Sequence, residues 1–600
     1  MTNKICIVGG GAAGVALLWA LSQDPKQKWD VTLMHDGSKV GGHSFTQMIK
    51  WNGNTFPVDV GVQFISPMLY PNVREMLKLP AFKTRVPVMD YPALKIASGF
   101  PRDTSGKPRN WGNFADYQTG PNFAFYDEDM KYDANVFQNF IEFSLKDWAN
   151  KTLKEYFDNP PQVYRNKQKF IDYFLAPYLS IINGYGNALM DQTTFEDIWP
   201  LFALIPWEKT PLGSFTNPGI GWQRFTNGAQ SWAQAMSDVA QQLAPTNKVL
   251  LNTEVRSVWT DQRTGQVIVA WKTNPTAVIS SDTFDKVVLT TDMWTNSKIL
   301  NNPQNQYYWN NLYKNYVGYG RDINMNPLGS PVVWDLMWGA CYIHTDSSML
   351  SPDLMQQQET SQFTAFYSSV AGGGYDLSKT YTTYIQKNLV MDPAAAGLYL
   401  TMYGYIPDAS KGDKVPDPAK VIYSTPWTHG KWNPAFMGGA KGQLHIAQGL
   451  GNISYPGQMN TNVYFAGNNA TADSEEGALD SALALAEYAF GVNYPFPSFL
   501  GYAMYYIYKE VMFPTPNASH SITANLRAMS ALRQSGAANA DVKIRRSAKK
   551  VTKKPITKTA ISKARRVKPV KKEVTRKPAK AKTRKAGSSK RKTTRKNKSK

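Results

Sequence analysis

Gly9-Gly10-Gly11-Ala12-Ala13-Gly14 sets glycines at the first, third and sixth positions of a GxGxxG turn. The first glycine permits a tight turn, and the second lets backbone approach a pyrophosphate. The third allows a helix to pack closely on a strand, while amides at the helix start face the phosphates. Gly9, Gly11 and Gly14, with Ala12 and Ala13 between them, are therefore candidates for holding a dinucleotide. An acid about twenty residues further on should take the ribose hydroxyls. Asp36 in Met34-His35-Asp36-Gly37 is the natural candidate, and His35 is the alternative occupant of that position.

A second set of residues could move protons. His344 and Asp346 are two apart in Ile343-His344-Thr345-Asp346, so on a strand they share a side. A histidine beside a carboxylate can relay a proton in substrate oxidation; the other reading is a structural hydrogen-bonded pair. Tyr307, Tyr308, Trp309, Tyr313, Tyr316, Tyr319, Trp334 and Trp338 could line an apolar or cationic pocket, although at that density most belong to the core. The six histidines show no HxxxH or HExxH spacing, and Cys6 and Cys341 are the only cysteines. Neither a metal site nor a disulfide framework is expected.

These residues need elements to position them. Residues 4–8 read as an apolar strand, 12–21 as a helix and 30–34 as a second strand, which makes a βαβ unit around the glycine turn. Helical, aromatic and Pro-punctuated segments are expected over 80–211. A helix is expected over 228–243, then strands over 248–258, 266–271 and 285–290. The pattern of the first unit returns with a strand at 463–465 and a helix over 477–490. The fold class expected is α/β: a Rossmann-like nucleotide-binding domain interleaved with a mixed α+β substrate domain, followed by a basic tail. The first comprises 1–79, 222–300 and 440–495, and the second 80–221 and 301–439. A terminal helical segment covers 496–532.

The chain of 600 residues is 42% hydrophobic and 19% charged, which fits a folded, water-soluble body rather than a bundle of membrane spans. Its net charge of +22 is localised. Residues 541–600 hold 27 Lys and Arg against two acids, leaving 40 basic and 43 acidic residues elsewhere. From 533 onward there is no aromatic residue or histidine, and Lys-Pro recurs three times. Such a stretch buries too little apolar surface to offset its ordering entropy, so disorder is expected over 533–600. Non-specific nucleic-acid binding is the expected use of this tail, with nuclear targeting or another polyanion as alternatives. No secretory signal or transmembrane segment is expected: the first residues lead straight into a strand, and the apolar run over 499–508 is too short to span a bilayer. An intracellular location follows, whether nuclear or with packaged DNA, as in a large-virus particle.

Val40-Gly41-Gly42-His43-Ser44 and Val463-Tyr464-Phe465-Ala466-Gly467-Asn468-Asn469, followed by Glu476-Gly477-Ala478, stand one near each end of the body. Together with the glycine turn they resemble the flavin-containing amine oxidase superfamily over about residues 3–492. The GG-His form, with Phe56-Pro57-Val58-Asp59-Val60-Gly61, is most similar to a branch of predicted FAD/NAD-binding proteins. The resemblance implies FAD, with Gly41, Gly42, His43 and Gly61 near the pyrophosphate and the backbone of Val255 at the adenine. Gly467, Asn468 and Asn469 would hold the ribityl chain, and Glu476, Gly477 and Ala478 the flavin edge. It also implies noncovalent attachment, because Gly438-Gly439 is followed by Ala440 where a cysteine would be needed. The positions of the family's aromatic cage carry Lys441 and Ser474, which argues against a simple monoamine oxidase. The activity implied is hydride transfer from a small organic substrate, an amine or a related compound, to FAD. The alternatives are a desaturase or isomerase acting on a lipid or isoprenoid, and a non-catalytic flavoprotein scaffold whose tail binds nucleic acid.

Overall fold

The computed structural model describes residues 3–26, 28–66, 69–90, 96–100, 105, 109–112, 127–148, 151–176, 222–310, 313, 335–350, 363–369, 375–431, 444, 448, 461–467, 470–471 and 474–513. The chain opens with β1 (Asn3–Val8), α1 (Ala12–Ser22) and β2 (Trp29–Met34), and β1 and β2 run parallel from Asn3 opposite Trp29 to Val8 opposite Met34. Almost all of α1 is buried because its sequence is apolar around the whole cylinder. A hairpin follows, β3 (Thr46–Trp51) and β4 (Asn54–Asp59). Its turn residues Asn52 and Gly53 both have positive φ, at 48° and 79°, as a tight hairpin turn requires.

After α2 (Pro71–Leu77) come three short strands, β5 (Val88–Asp90), β6 (Ile96–Phe100) and β7 (Arg109–Gly112). Helices α3 (Glu128–Trp148) and α4 (Leu153–Asp158) lead on to β8 (Gln223–Phe225) and α5 (Gln230–Leu243). Next are β9 (Lys248–Leu250), β10 (Glu254–Thr260), β11 (Val267–Lys272), β12 (Ser280–Phe284), β13 (Lys286–Leu289) and α6 (Met293–Leu300). The second half contains β14 (Asp335–His344), β15 (Phe363–Ser369), β16 (Tyr375–Ile385), β17 (Tyr399–Tyr403) and β18 (Val421–Lys431). It closes with β19 (Val463–Phe465), α7 (Glu475–Phe490) and α8 (Phe499–Met512).

Five strands form a parallel sheet in the order β19-β13-β1-β2-β9. The fold is therefore mixed α/β around a parallel sheet. Helix α1 packs on both α5 and α7. A second, largely antiparallel sheet of seven strands runs β18-β14-β17-β16-β15-β6-β7. Here the structure departs from the reading of 80–211 as helical, because β6 and β7 supply two of those strands. Strands of four or five residues stand only through long-range pairing (Phe363 lies opposite Ile96), which local pattern does not reveal. The single strand expected over 248–258 is likewise two. Asn252, at φ 51°, breaks it, so β9 joins the parallel sheet and β10 a separate antiparallel one.

The two larger hydrophobic cores among the described residues lie apart from a small cluster of Ala340, Met349, Tyr381 and Tyr403. One surrounds the parallel sheet, with Trp19 stacked on Phe496 at 5.9 Å and edge-on to Phe82 at 5.8 Å. The other gathers Phe56, Val58, Phe137, Phe170, Ile343 and Leu400 beneath the seven-stranded sheet. The β3/β4 hairpin is anchored to the second core: Trp51 Nε1 donates to Ala396 O at 2.9 Å and Asn52 Nδ2 to Ala394 O at 3.1 Å. Among the described residues no helix is long and apolar enough to cross a membrane.

Candidate functional site

The turn leaving β1 is built from contacts that exclude side chains at two glycines and leave room at a third. Gly9 has φ 108°, and its amide donates to Met34 O at 2.9 Å. A Cβ on Gly14 would stand 1.9 Å from Gly9 O, which no backbone shift of ordinary size relieves. Gly11 differs: a Cβ there would meet only Gly42 Cα, at 3.9 Å. The freedom from side chains at Gly11 therefore serves the space beyond it rather than the packing. Gly11 is also the N-cap of α1, with no side-chain cap and no acid in the first turn. The amides of Ala12, Ala13 and Gly14 open the helix there, which suits an anionic pyrophosphate.

Thr290, at the end of β13, supports this turn. Its hydroxyl sits 3.0 Å from Val8 O and 2.9 Å from Gly9 O. Sequence reasoning passed over it because a threonine ending a strand has no distinguishing spacing.

The Gly41-Gly42 turn lies directly against the first. Gly41 N donates to Gly10 O at 2.8 Å, and Gly42, at φ 59°, would bring a Cβ within 2.9 Å of Gly11 Cα. His43 is exposed. Its carbonyl accepts from Val62 N at 3.4 Å, and a Cβ on Gly61 would lie 1.8 Å from that same oxygen. Gly61 thus acts by close packing on the His43 backbone.

At the end of β2, the His35 ring covers Gly10 so closely that a Cβ there would be 2.7 Å from it. Its Nδ1 meets the Asp36 carboxylate at 3.2 Å, and that hydrogen bond holds Asp36 below its usual pKa. Asp36 remains 74% exposed and accessible to a ribose. Leu250 O and Thr253 N bond the His35 backbone at 2.9 and 2.8 Å, so buried Val255 follows from the edge of the same site.

The closing segment reaches the other side of α1. Ala466 N donates to Leu289 O at 3.1 Å, continuing the parallel sheet. Gly467, at φ 91°, would carry a Cβ only 3.2 Å from Ala13 Cβ. Asn468, Asn469, Ala440 and Lys441 lie outside the described residues. Ser474 caps α7, its Oγ accepting from Gly477 N at 3.0 Å, with Ala478 buried beside it. Glu475 accepts from the hydroxyl of Ser44. The Glu476 carboxylate is turned away to the start of α2, taking Asn72 N at 2.7 Å and Val73 N at 2.9 Å. The Glu476 side chain is thus engaged with α2, while Gly477 and Ala478 follow it in the first turn of α7.

The three segments fit a dinucleotide: two glycine turns in contact, an uncapped helix start, and a third strand and helix meeting Ala13. The absence of an acidic side chain in the first turn of α1 suits the pyrophosphate of such a group.

The pair expected to relay a proton, His344 and Asp346, meets through the Asp346 backbone. His344 lies wholly buried in the seven-stranded sheet. Its Nε2 pairs with Thr401 Oγ1 at 2.8 Å, and its Nδ1 accepts the Asp346 amide, not the carboxylate, at 3.0 Å. Burial lowers the imidazole pKa to about 4. Asp346 lies past the end of β14, so alternation no longer puts the two side chains together. Burial opposes its ionisation, but the Asp417 and Ser348 amides and the Lys420 ammonium outweigh this and hold it well below the usual range. Of the aromatic group, Trp309 and Tyr313 are core, Tyr307 and Trp338 are about half exposed, and Tyr316, Tyr319 and Trp334 lie outside the described residues.

Compared with known proteins, residues 13–321 match the model of the flavin-containing amine oxidoreductase family. An oxidoreductase from Methanosarcina mazei is 14% identical, with a TM-score of 0.48 over 81% of this chain and 100% of its own. Putrescine oxidase bound to putrescine is 13% identical, with a TM-score of 0.45 over 80% and 97%. No curated protein matches the chain.

Proposed function

The chain belongs to the flavin-containing amine oxidoreductase family and is an FAD-dependent oxidoreductase, and from that premise we propose that it oxidises a small organic substrate, an amine or a related compound, on noncovalently held FAD. The observation that carries this reading is the joining of Gly11, Gly42 and Gly467 around the start of α1. FAD supplies the hydride acceptor. The chain's own part is to bind and orient it: the amides of Ala12 to Gly14 take the pyrophosphate, Asp36 the ribose, and the start of α7 the flavin edge. Noncovalent attachment is supported by Ala440, which offers no thiol.

The test is anaerobic mixing with amines, amino acids and unsaturated lipids, followed by the bleaching of flavin absorbance. Bleaching by an amine supports the proposal. A flavin that none of them reduces refutes it.

One observation favours a second reading. Ser474, at a cage position, is committed to capping α7 and frames no amine. A desaturase or isomerase of a lipid or isoprenoid accommodates this, and bleaching confined to the lipids would select it.

We also propose that residues 533–600 bind nucleic acid without sequence preference, which would suit a nuclear or DNA-packaging location. The support is the charge: 27 basic residues against two acids over 541–600, with no aromatic for bases to stack on. Binding by counterion release weakens about 10³- to 10⁵-fold between ~50 and ~200 mM salt if roughly 6–10 phosphates are engaged. Duplex DNA titrated with the full chain and with a chain ending at Leu532 tests it. Equal binding by both removes the tail from the account.

A further inference from the structure

Ser44 and Glu475 are 431 positions apart, yet the Ser44 hydroxyl donates to Glu475 Oε1 inside the protein. Only 1% of Ser44 and 3% of Glu475 is exposed. We propose that this bridge is a positioning clamp that ties the phosphate end of the FAD cradle to its flavin end and so sets how tightly FAD is retained. The proposal rests on the reading that FAD lies across these segments.

The clamp has rigid connections on both sides. Ser44 N donates to Gly41 O at 3.0 Å, and Gly41 N to Gly10 O at 2.8 Å, so Ser44 is two hydrogen bonds away from the GxGxxG turn. Gly42 touches Gly11 in the same unit. On the other side Glu475 is the first residue of α7, immediately after the Ser474 cap and two before Gly477. The neighbouring acid holds a different element, since Glu476 takes the Asn72 and Val73 amides. Of the two, only Glu475 reaches the other cofactor-binding turn.

The chemistry suits that task. A hydrogen bond with a carboxyl partner, closed to water on both sides, is stronger than an exposed one and directional enough to fix a distance. A cradle already set to the span of its ligand loses less freedom on binding, which appears as slower release. Neither residue has to touch FAD for this to operate.

The experiment uses the full-length holoprotein and follows free-flavin fluorescence after dilution, alongside the thermal unfolding midpoint. S44A and E475A should release FAD at least about tenfold faster than wild type. E475Q keeps an acceptor oxygen for Ser44 and should stay within about threefold of wild type. The S44A/E475A double variant should release no faster than about twice the faster single, because both singles break one bond. Release at the wild-type rate from S44A overturns the clamp, as does multiplication of the two single effects in the double. Faster release that tracks a lowered unfolding midpoint, unrescued in E475Q, also overturns it and leaves a purely structural bond. Wild-type protein without bound FAD overturns the cofactor reading itself, a result distinct from any of these.

Discussion

Asn72 and Asp480 meet across 408 positions of sequence: Asn72 Nδ2 donates to Asp480 Oδ1 at 2.7 Å, while Asp480 Oδ2 is buried without a hydrogen-bond partner. The same amide group gives a second bond to Gly501 O at 2.8 Å, and its oxygen accepts the Tyr494 hydroxyl at 2.5 Å. One asparagine thereby joins α2, α7 and α8.

This arrangement makes stability depend on pH. Burial, reinforced by Glu476 one helical turn away, raises Asp480 far above its usual value, and burial raises Glu476 too. The unfolded chain loses these protons in the ordinary carboxylate range, whereas the native chain keeps them to higher pH. Stability conferred by the protonated pair is therefore complete in acid and declines as pH rises towards and through neutrality. Asp480→Asn keeps the contact with Asn72 and removes the ionisation. Urea unfolding midpoints measured from pH 5 to about 8.5 should fall less steeply for this variant than for wild type. Parallel curves would contradict the assignment.

Gly11 and Gly14 should respond differently to a side chain. Gly11→Val adds atoms towards open space, so the protein should fold with a near-normal midpoint and come out colourless. In Gly14→Ala the new methyl would collide with Gly9 O, at 1.9 Å. We expect a loss of about 1–3 kcal/mol or more in unfolding free energy, as for overpacked cores. Visible absorbance and urea unfolding together separate the two effects. Flavin retained by Gly11→Val would move the pyrophosphate away from this turn.

His344→Ala should act on folding. It removes the acceptor of the Asp346 amide in a fully buried place, at a cost of about 1–3 kcal/mol, while Thr401 Oγ1 keeps its bond to Thr383 Oγ1 at 2.8 Å. The unfolded imidazole takes a proton near 6.5 and the native one only near about 4. Wild-type stability therefore falls as pH drops between those values, and the variant should lack that part of the slope. The rate of flavin reduction per bound FAD should be unchanged. A slowed reduction at normal stability would return His344 to the chemistry.

Arg224→Met should be among the most damaging single changes. Arg224 pairs with Asp59 at 2.9 Å, both about 1% exposed, while Thr46 Oγ1 and Ala229 N also serve that carboxylate. Leaving Asp59 buried without its cation should cost about 3–5 kcal/mol, measured by denaturant unfolding. Adding Asp59→Asn should recover a good part of it, because the stranded charge is then gone. A double variant no better than the single would locate the damage in lost packing.

Local chemistry determined what could be read along the chain. The turn at residues 9–14 was legible because glycine spacing reports backbone demands directly: Gly9 shows a positive φ and Gly14 a close approach, while Gly11 faces open space. β1, α1 and β2 were legible because their apolar runs are continuous, whereas three-residue β9 was read as one strand with β10. Tertiary structure decided the rest. Strands β6 and β7 exist because a distant strand pairs with β6. Adjacency in sequence put His344 and Asp346 forward together, but the end of β14 between them and the burial of the ring bring the imidazole to the Asp346 amide instead of its carboxylate. Thr290 under the glycine turn, Ser44 against Glu475 and Asn72 against Asp480 are joined across some 280 to 430 positions. A hydrogen bond depends on distance and direction in space, and no spacing along one chain encodes either for residues that folding alone brings together.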